Sequence, residues 1–147
     1  MTAGKGAKAA PAAAEAVAGP IKTLGMDLVT LSVADLDRGV QFYTGLLGLR
    51  VLRRFGKPRQ ALLACGKSLL GLIEVKDYPG LLNIMKSRSH VSLFVSKTEF
   101  QRAVEILHAS RIRVILGPEP HGSGKRLWLL DPDDNKIALV YPKTKVG

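Results

Sequence analysis

The sequence predicts an α+β fold made of two βαβββ modules, and three observations point to it. The chain repeats itself. Residues 29–52 (VTLSVADLDRGVQFYTGLLGLRVL) and 91–115 (VSLFVSKTEFQRAVEILHASRIRVI) each read as an alternating apolar run, an acidic helix start, an amphipathic helix and a second alternating run. Val29, Leu31 and Val33 correspond to Val91, Leu93 and Val95. Turn signals then cut the chain after each unit into further short alternating runs. A duplicated strand–helix–strand unit suggests a ligand between the two halves.

The elements follow in order. Residues 26–33 alternate and predict a strand. Asp35 is a helix N-cap before LDRGVQFYTGLLG, in which Val40, Tyr43 and Leu47 share one face, and Gly48 is placed to end the helix. Strands follow at 49–55, 59–65 and 68–76, separated by turns at Gly56-Lys57-Pro58 and Gly66-Lys67. Residues 77–88 predict a loop with a helical turn around Leu81 to Met85. The second unit gives a strand at 89–96, then a helix at 97–110 with Thr98 as its cap and Glu99 in its first turn. Strands at 112–116, 125–130 and 136–141 complete it.

Length allows one domain of 147 residues, and 46% hydrophobic residues supply a core. No apolar stretch is long enough to cross a bilayer. Cys65 stands alone, which rules out an intrachain disulfide and a cysteine-based zinc site; the expected compartment is the cytoplasm. The formal charge of +10 suits an anionic ligand or a polyanionic partner. Fourteen of the first 20 residues are Ala, Gly or Pro, so residues 1–24 read as a disordered tail. The domain spans 25–143, with module one at 25–78 and module two at 88–143. The tail holds three Lys and one Glu, so +8 of the charge belongs to the domain itself.

The segment VADLDRGVQFYTGLLGL, with its Asp cap, Phe-Tyr pair and Leu-Gly exit, resembles the first strand-to-helix segment of the vicinal oxygen chelate superfamily. GPEPHGSGKRLWLLDPDDNKIALVYP, with its Asp-Pro-Asp-x-Asn turn, resembles that family's closing hairpin. The family includes glyoxalase I, the extradiol dioxygenases and the bleomycin-resistance proteins, and the likeness covers residues 26–142. It implies an open, cup-shaped mixed sheet with helices outside, a ligand in the cup, and a homodimer with paired modules.

The resemblance also implies where metal ligands would stand. Metal-dependent members place His or Gln on the first strand, Glu on the fourth, His on the fifth and Glu on the eighth. Matched by motif, these positions are Leu28, Gly71, His90 and Ala138. Leu, Gly and Ala carry no donor, and one imidazole does not hold a catalytic divalent ion. Glu74 shares a strand face with residues 70 and 72, so it needs a bulge or a slip to enter the cup. The expectation is therefore no metal and no cofactor.

Two apparent motifs dissolve. Gly122-Ser123-Gly124-Lys125 lacks the upstream Gly and the following Ser or Thr of a phosphate loop, and reads as a hairpin lip. Asp131, Asp133 and Asn135 begin like a calcium loop, but Lys136 and Pro142 replace its Gly and closing Glu; the two aspartates read as caps of turn amides.

Two groups remain as ligand contacts. The first is an apolar cup with a few polar groups: Thr30, Ser32, His90, Ser92, Phe94 and Trp128, with the side taken by Trp128 left open. Set against that is simple filling of the cup or of a dimer interface. The second is a basic run, Arg50, Arg53, Arg54, Lys57 and Arg59, able to hold an anion or to form a solvated hairpin face. The reading is a metal-free domain that binds a small molecule in its cup, with no membrane. One alternative is a metal-dependent lyase or dioxygenase that recruits Glu74, His121 or a partner-chain residue. Another is a non-catalytic subunit of a larger assembly, with or without RNA, that uses the tail and basic hairpin; a nucleic-acid role is not favoured by the sequence.

Overall fold

The computed structural model describes residues 19, 20, 22, 24, 26–76 and 89–145. The predicted tail, apart from four of its residues, and the helical turn predicted within 77–88 lie outside them. Module one runs β1 (Val29–Val33), α1 (Leu36–Gly45), β2 (Arg50–Phe55), β3 (Gln60–Cys65) and β4 (Ser68–Glu74). Module two runs β5 (Val91–Phe94), α2 (Lys97–His108), β6 (Val114–His121), β7 (Gly124–Leu130) and β8 (Lys136–Tyr141). The βαβββ pattern is present twice.

Each module folds its strands into a four-stranded mixed sheet, ordered β1-β4-β3-β2 and β5-β8-β7-β6. In each, the first strand pairs parallel with the last, and the remaining pairs are antiparallel. The first strand thus forms one edge of its sheet. The helix between the first two strands supplies the crossover this topology requires.

Helix α1 starts where Asp35 accepts a hydrogen bond from the Arg38 amide at 3.1 Å. It buries Leu36, Val40 and Tyr43, spaced four and three apart on one face. Each such burial contributes about 1.5–3 kcal/mol. Helix α2 is capped by Ser96, whose Oγ accepts from the Glu99 amide at 3.1 Å, and not by the predicted Thr98. The cap residue must keep extended backbone, as Ser96 does at φ −72° and ψ 163°, and Thr98 already lies inside the helix. The core faces of both modules, including Val33, Leu63, Leu72, Leu127, Leu129 and Ile137, join one buried cluster.

A five-residue turn locks the modules together. Asp131 is 1% exposed and accepts four hydrogen bonds: the Asp133 and Asn135 amides at 2.8 Å each, Asn135 Nδ2 at 2.9 Å and the Tyr43 hydroxyl at 2.7 Å. Tyr43 belongs to module one. Asp133 reaches the same module, accepting from the Ala34 amide at 2.9 Å and pairing with Arg38 at 2.6 Å. Asn135 donates to the Ser32 carbonyl at 3.0 Å. The predicted role of the two aspartates as caps of backbone amides is present, and it extends across the module boundary.

Candidate functional site

Strand register decides which residues share a face. On β5, Val91, Leu93 and Val95 pack against the core, so Ser92 and Phe94 look outward with His90 in step. Across module two, Ser92 pairs with Ala138 and Ala138 with Trp128. The next row runs from Phe94 to Val140, Arg126 and Glu119. Trp128 therefore stands on the outward face, which the sequence left open. In module one the equivalent face carries Thr30, Gly71 and Leu62 in one row.

The two outward faces adjoin at the β1 and β5 edges. Thr30, His90 and Lys136 line one cavity of about 280 Å³ there. Leu28, Ser68, Ser92 and Phe94 line another of about 400 Å³, within the usual size of small-molecule sites. Ser32 lines neither; its carbonyl is held by Asn135. Of the predicted contacts, Thr30 and His90 line one cavity and Ser92 and Phe94 the other, while Trp128, like Ser32, lines neither.

Two of the four expected metal positions, Gly71 and Ala138, are crowded as well as bare of donors. A Cβ built on Gly71 would stand 2.7 Å from Thr30 Oγ1, so the threonine hydroxyl fills that place. Ala138 is 0% exposed, and beside it the Trp128 and His90 rings meet edge to face with centroids 4.4 Å apart. His90, just before β5, thus meets Trp128 of β7 beside the small Ala138 of β8. Among the described residues, no three His, Cys, Asp or Glu side chains gather as a metal would require. The described residues at these positions do not supply the donor set of a divalent metal. Glu74 is turned to the helix side, accepting from the Leu36 amide and from Arg59 at 2.9 Å each. It stabilises the start of α1 and cannot also enter the cup.

The predicted anion-binding arginines do not form one group. Arg54 pairs with Asp37, and Arg59 with both Asp37 and Glu74. Arg59, then Arg54, hold the Asp37 carboxyl below its ordinary range. Arg50 and Arg53 instead share the outward face with Leu62, and Arg53 lies over the Phe55 ring at 5.1 Å. The cause is a bulge at Leu52: residues three apart would point to opposite sides of a regular strand, and one extra residue restores them to the same side.

The same device in β6 exposes a group that sequence reasoning missed. Irregularities on either side of Leu116 bring Leu116 and Glu119, three apart, onto the face of Trp128 and Arg126. Glu119 Oε2 then accepts from Arg126 Nε at 3.0 Å and Trp128 Nε1 at 3.1 Å, and lies 2.9 Å from Arg126 Nη2. The Trp128 bond and then Arg126 hold the Glu119 carboxyl below its ordinary value. The Arg126 guanidinium sits over the indole at 4.8 Å. Beyond β8, Lys143 Nζ lies 4.9 Å from the centroid of Phe94, which is 58% exposed.

Comparison with known proteins agrees with this architecture. The family model for the Glyoxalase/Bleomycin resistance protein/Dioxygenase superfamily matches residues 25–139. Metallothiol transferase FosB of Staphylococcus epidermidis is 27% identical over 112 residues, covering 76% of this chain and 77% of that protein. Lactoylglutathione lyase GLX1 of Arabidopsis thaliana is 25% identical over 132 residues, covering 78% of this chain and 44% of its own length. Among solved structures, a glyoxalase/dioxygenase from Nostoc punctiforme gives a TM-score of 0.71 at 21% identity, over 85% of this chain and 95% of that one. A variant of the fosfomycin resistance protein FosX from Listeria monocytogenes, complexed with Mn(II) and 1S,2S-dihydroxypropylphosphonic acid, gives 0.69 at 16% identity, over 83% and 93%. At these identities the structures speak for the fold.

Proposed function

The chain belongs to the Glyoxalase/Bleomycin resistance protein/Dioxygenase superfamily, and from that premise we propose that it binds a small molecule on the outward face of its two sheets without a metal. The observation that carries this reading is the filling of the ligand positions. Thr30 stands against Gly71, and the Trp128–His90 pair lies beside Ala138. Restoring carboxylates there would displace packed side chains. What is left is an apolar floor with a few hydrogen-bonding groups at its rim, the ordinary make-up of a binding site. We read the protein as a homodimer in which a second copy covers part of this face, where Leu116 and Phe55 are exposed apolar groups.

The competing reading is a metal-dependent lyase or dioxygenase, favoured by the enzymatic names of the relatives. A thermal-shift screen of small organic molecules in excess chelator separates the two. A ligand that binds only the folded state raises the melting temperature by mass action. The binding reading expects hits whose shift survives chelation. Hits that need Mn²⁺, Ni²⁺, Zn²⁺ or Fe²⁺, and vanish in His90→Ala, would contradict it.

A further inference from the structure

The cluster on the outward face of module two contains more than an apolar wall. One oxygen, Glu119 Oε2, holds both Arg126, through Nε and Nη2, and Trp128, through Nε1. A guanidinium offers five donors in a rigid fork, with a side edge (Nε and Nη2) and an end edge (Nη1 and Nη2). Glu119 takes the side edge. The end edge keeps its Nη1 hydrogens, and among the described residues nothing else accepts from them. The guanidinium is also fixed in plane over the indole at 4.8 Å, so little freedom remains to be lost when a ligand engages it.

In the same cross-strand row, Val140 lies between Arg126 and Phe94, and Lys143 rests over the Phe94 ring at 4.9 Å. Lys143 makes no ion pair among the described residues. Two cations thus flank an apolar floor, each seated on an aromatic ring. The one acid in the row, Glu119, is already turned to Arg126 and Trp128.

We propose that this clamp is an anion seat, and that the ligand of the site is a small aromatic carboxylate. Its two oxygens meet the end edge of Arg126, Lys143 supplies the second charge, and its ring packs against Phe94. Fixed guanidinium donors favour a planar two-oxygen anion over a neutral group of the same shape. Arg126 thereby supplies the positive charge that a metal provides in other members of the superfamily. This inference rests on the small-molecule reading and narrows it.

Trp128 is the chain's single tryptophan, so its fluorescence reports on the clamp without labelling. The full chain is titrated with benzoate, benzamide and benzylamine in the presence of chelator. The expected result is saturable quenching with benzoate at least tenfold tighter than benzamide, and weakest with benzylamine. Arg126→Gln should reduce benzoate affinity at least tenfold and benzamide affinity by a clearly smaller factor. Arg126→Lys should fall between, because charge survives while the fork is lost. Phe94→Ala should weaken both benzoate and benzamide, as loss of a shared ring contact requires. Equal binding of benzoate and benzamide, or benzoate binding unchanged in Arg126→Gln, would overturn the anion seat while leaving a binding site. No response to any of the three would remove both readings.

Discussion

The two modules share one scaffold and differ in what they mount on it. Leu62 of module one stands where module two has Trp128, each paired with the small residue of its last strand, Gly71 or Ala138. Thr30 stands where module two has Ser92. The wall of module one is therefore low and aliphatic, and that of module two carries the indole, imidazole, guanidinium and carboxylate cluster. The turns before the last strands differ as well. Gly66-Lys67 is exposed, while 131–135 is buried in the other module's helix start. Duplication has preserved the hydrogen-bonded sheet and released the outward side chains and tight turns, which the sheet does not need.

If the 131–135 turn joins the modules and its counterpart does not, changes at the two should differ most. Asp131→Ala strands four donors, one of them from the other module. A buried donor left without a partner costs about 1–3 kcal/mol, part of which water recovers. We expect a loss of about 4 kcal/mol, read as a lower urea midpoint. Gly66→Ala, at φ +60°, should cost only about 1 kcal/mol.

The small residues sharpen the contrast next. Ala138→Glu must push aside the Trp128–His90 pair and bury a carboxylate, which we expect to cost about 3 kcal/mol. Gly71→Glu also buries a carboxylate, but it crowds one threonine side chain and not a ring pair, and should cost about 2 kcal/mol beyond backbone effects. Differential scanning calorimetry of the two variants checks the order, and equal losses would show that the walls are not different in kind.

The smallest effect is on pH. Asp37 in module one and Glu119 in module two are both held below their ordinary values of 3.8 and 4.5. A depressed carboxyl contributes its stability in full above the ordinary value and loses it as the pH falls through the lower folded value. Asp37 is exposed and Glu119 half-buried at the surface, so the effect on unfolding is slight. Trp128 emission should nonetheless stay constant down to about pH 4.5 and change below it, as Glu119 takes up a proton. Glu119→Gln should abolish that acid-side change.

Most of the fold was legible because the repeat states it twice, and because Asp35, the Gly-Lys turn and the Asp-Pro-Asp-Asp-Asn turn mark element ends by local chemistry. The residues at the family's metal positions were assigned by motif alone. The clamp was not. Glu119 and Arg126 lie on facing strands, and only the irregularities flanking Leu116 place Glu119 beside Trp128. The extra residue at Leu52 likewise divides the basic run, sending Arg54 to Asp37 and Arg53 outward. A period-two reading of the sequence cannot locate an inserted residue, so it assigns the outer strands' faces wrongly beyond the bulge.

The most direct test is the metal content of the purified protein, measured by elemental analysis before and after incubation with Ni²⁺, Zn²⁺, Mn²⁺ and Fe²⁺. With Leu28, Gly71 and Ala138 at three of the four positions, we predict no stoichiometric metal under any of these conditions. One metal per chain, lost in His90→Ala, would contradict the account and make an enzyme the leading reading.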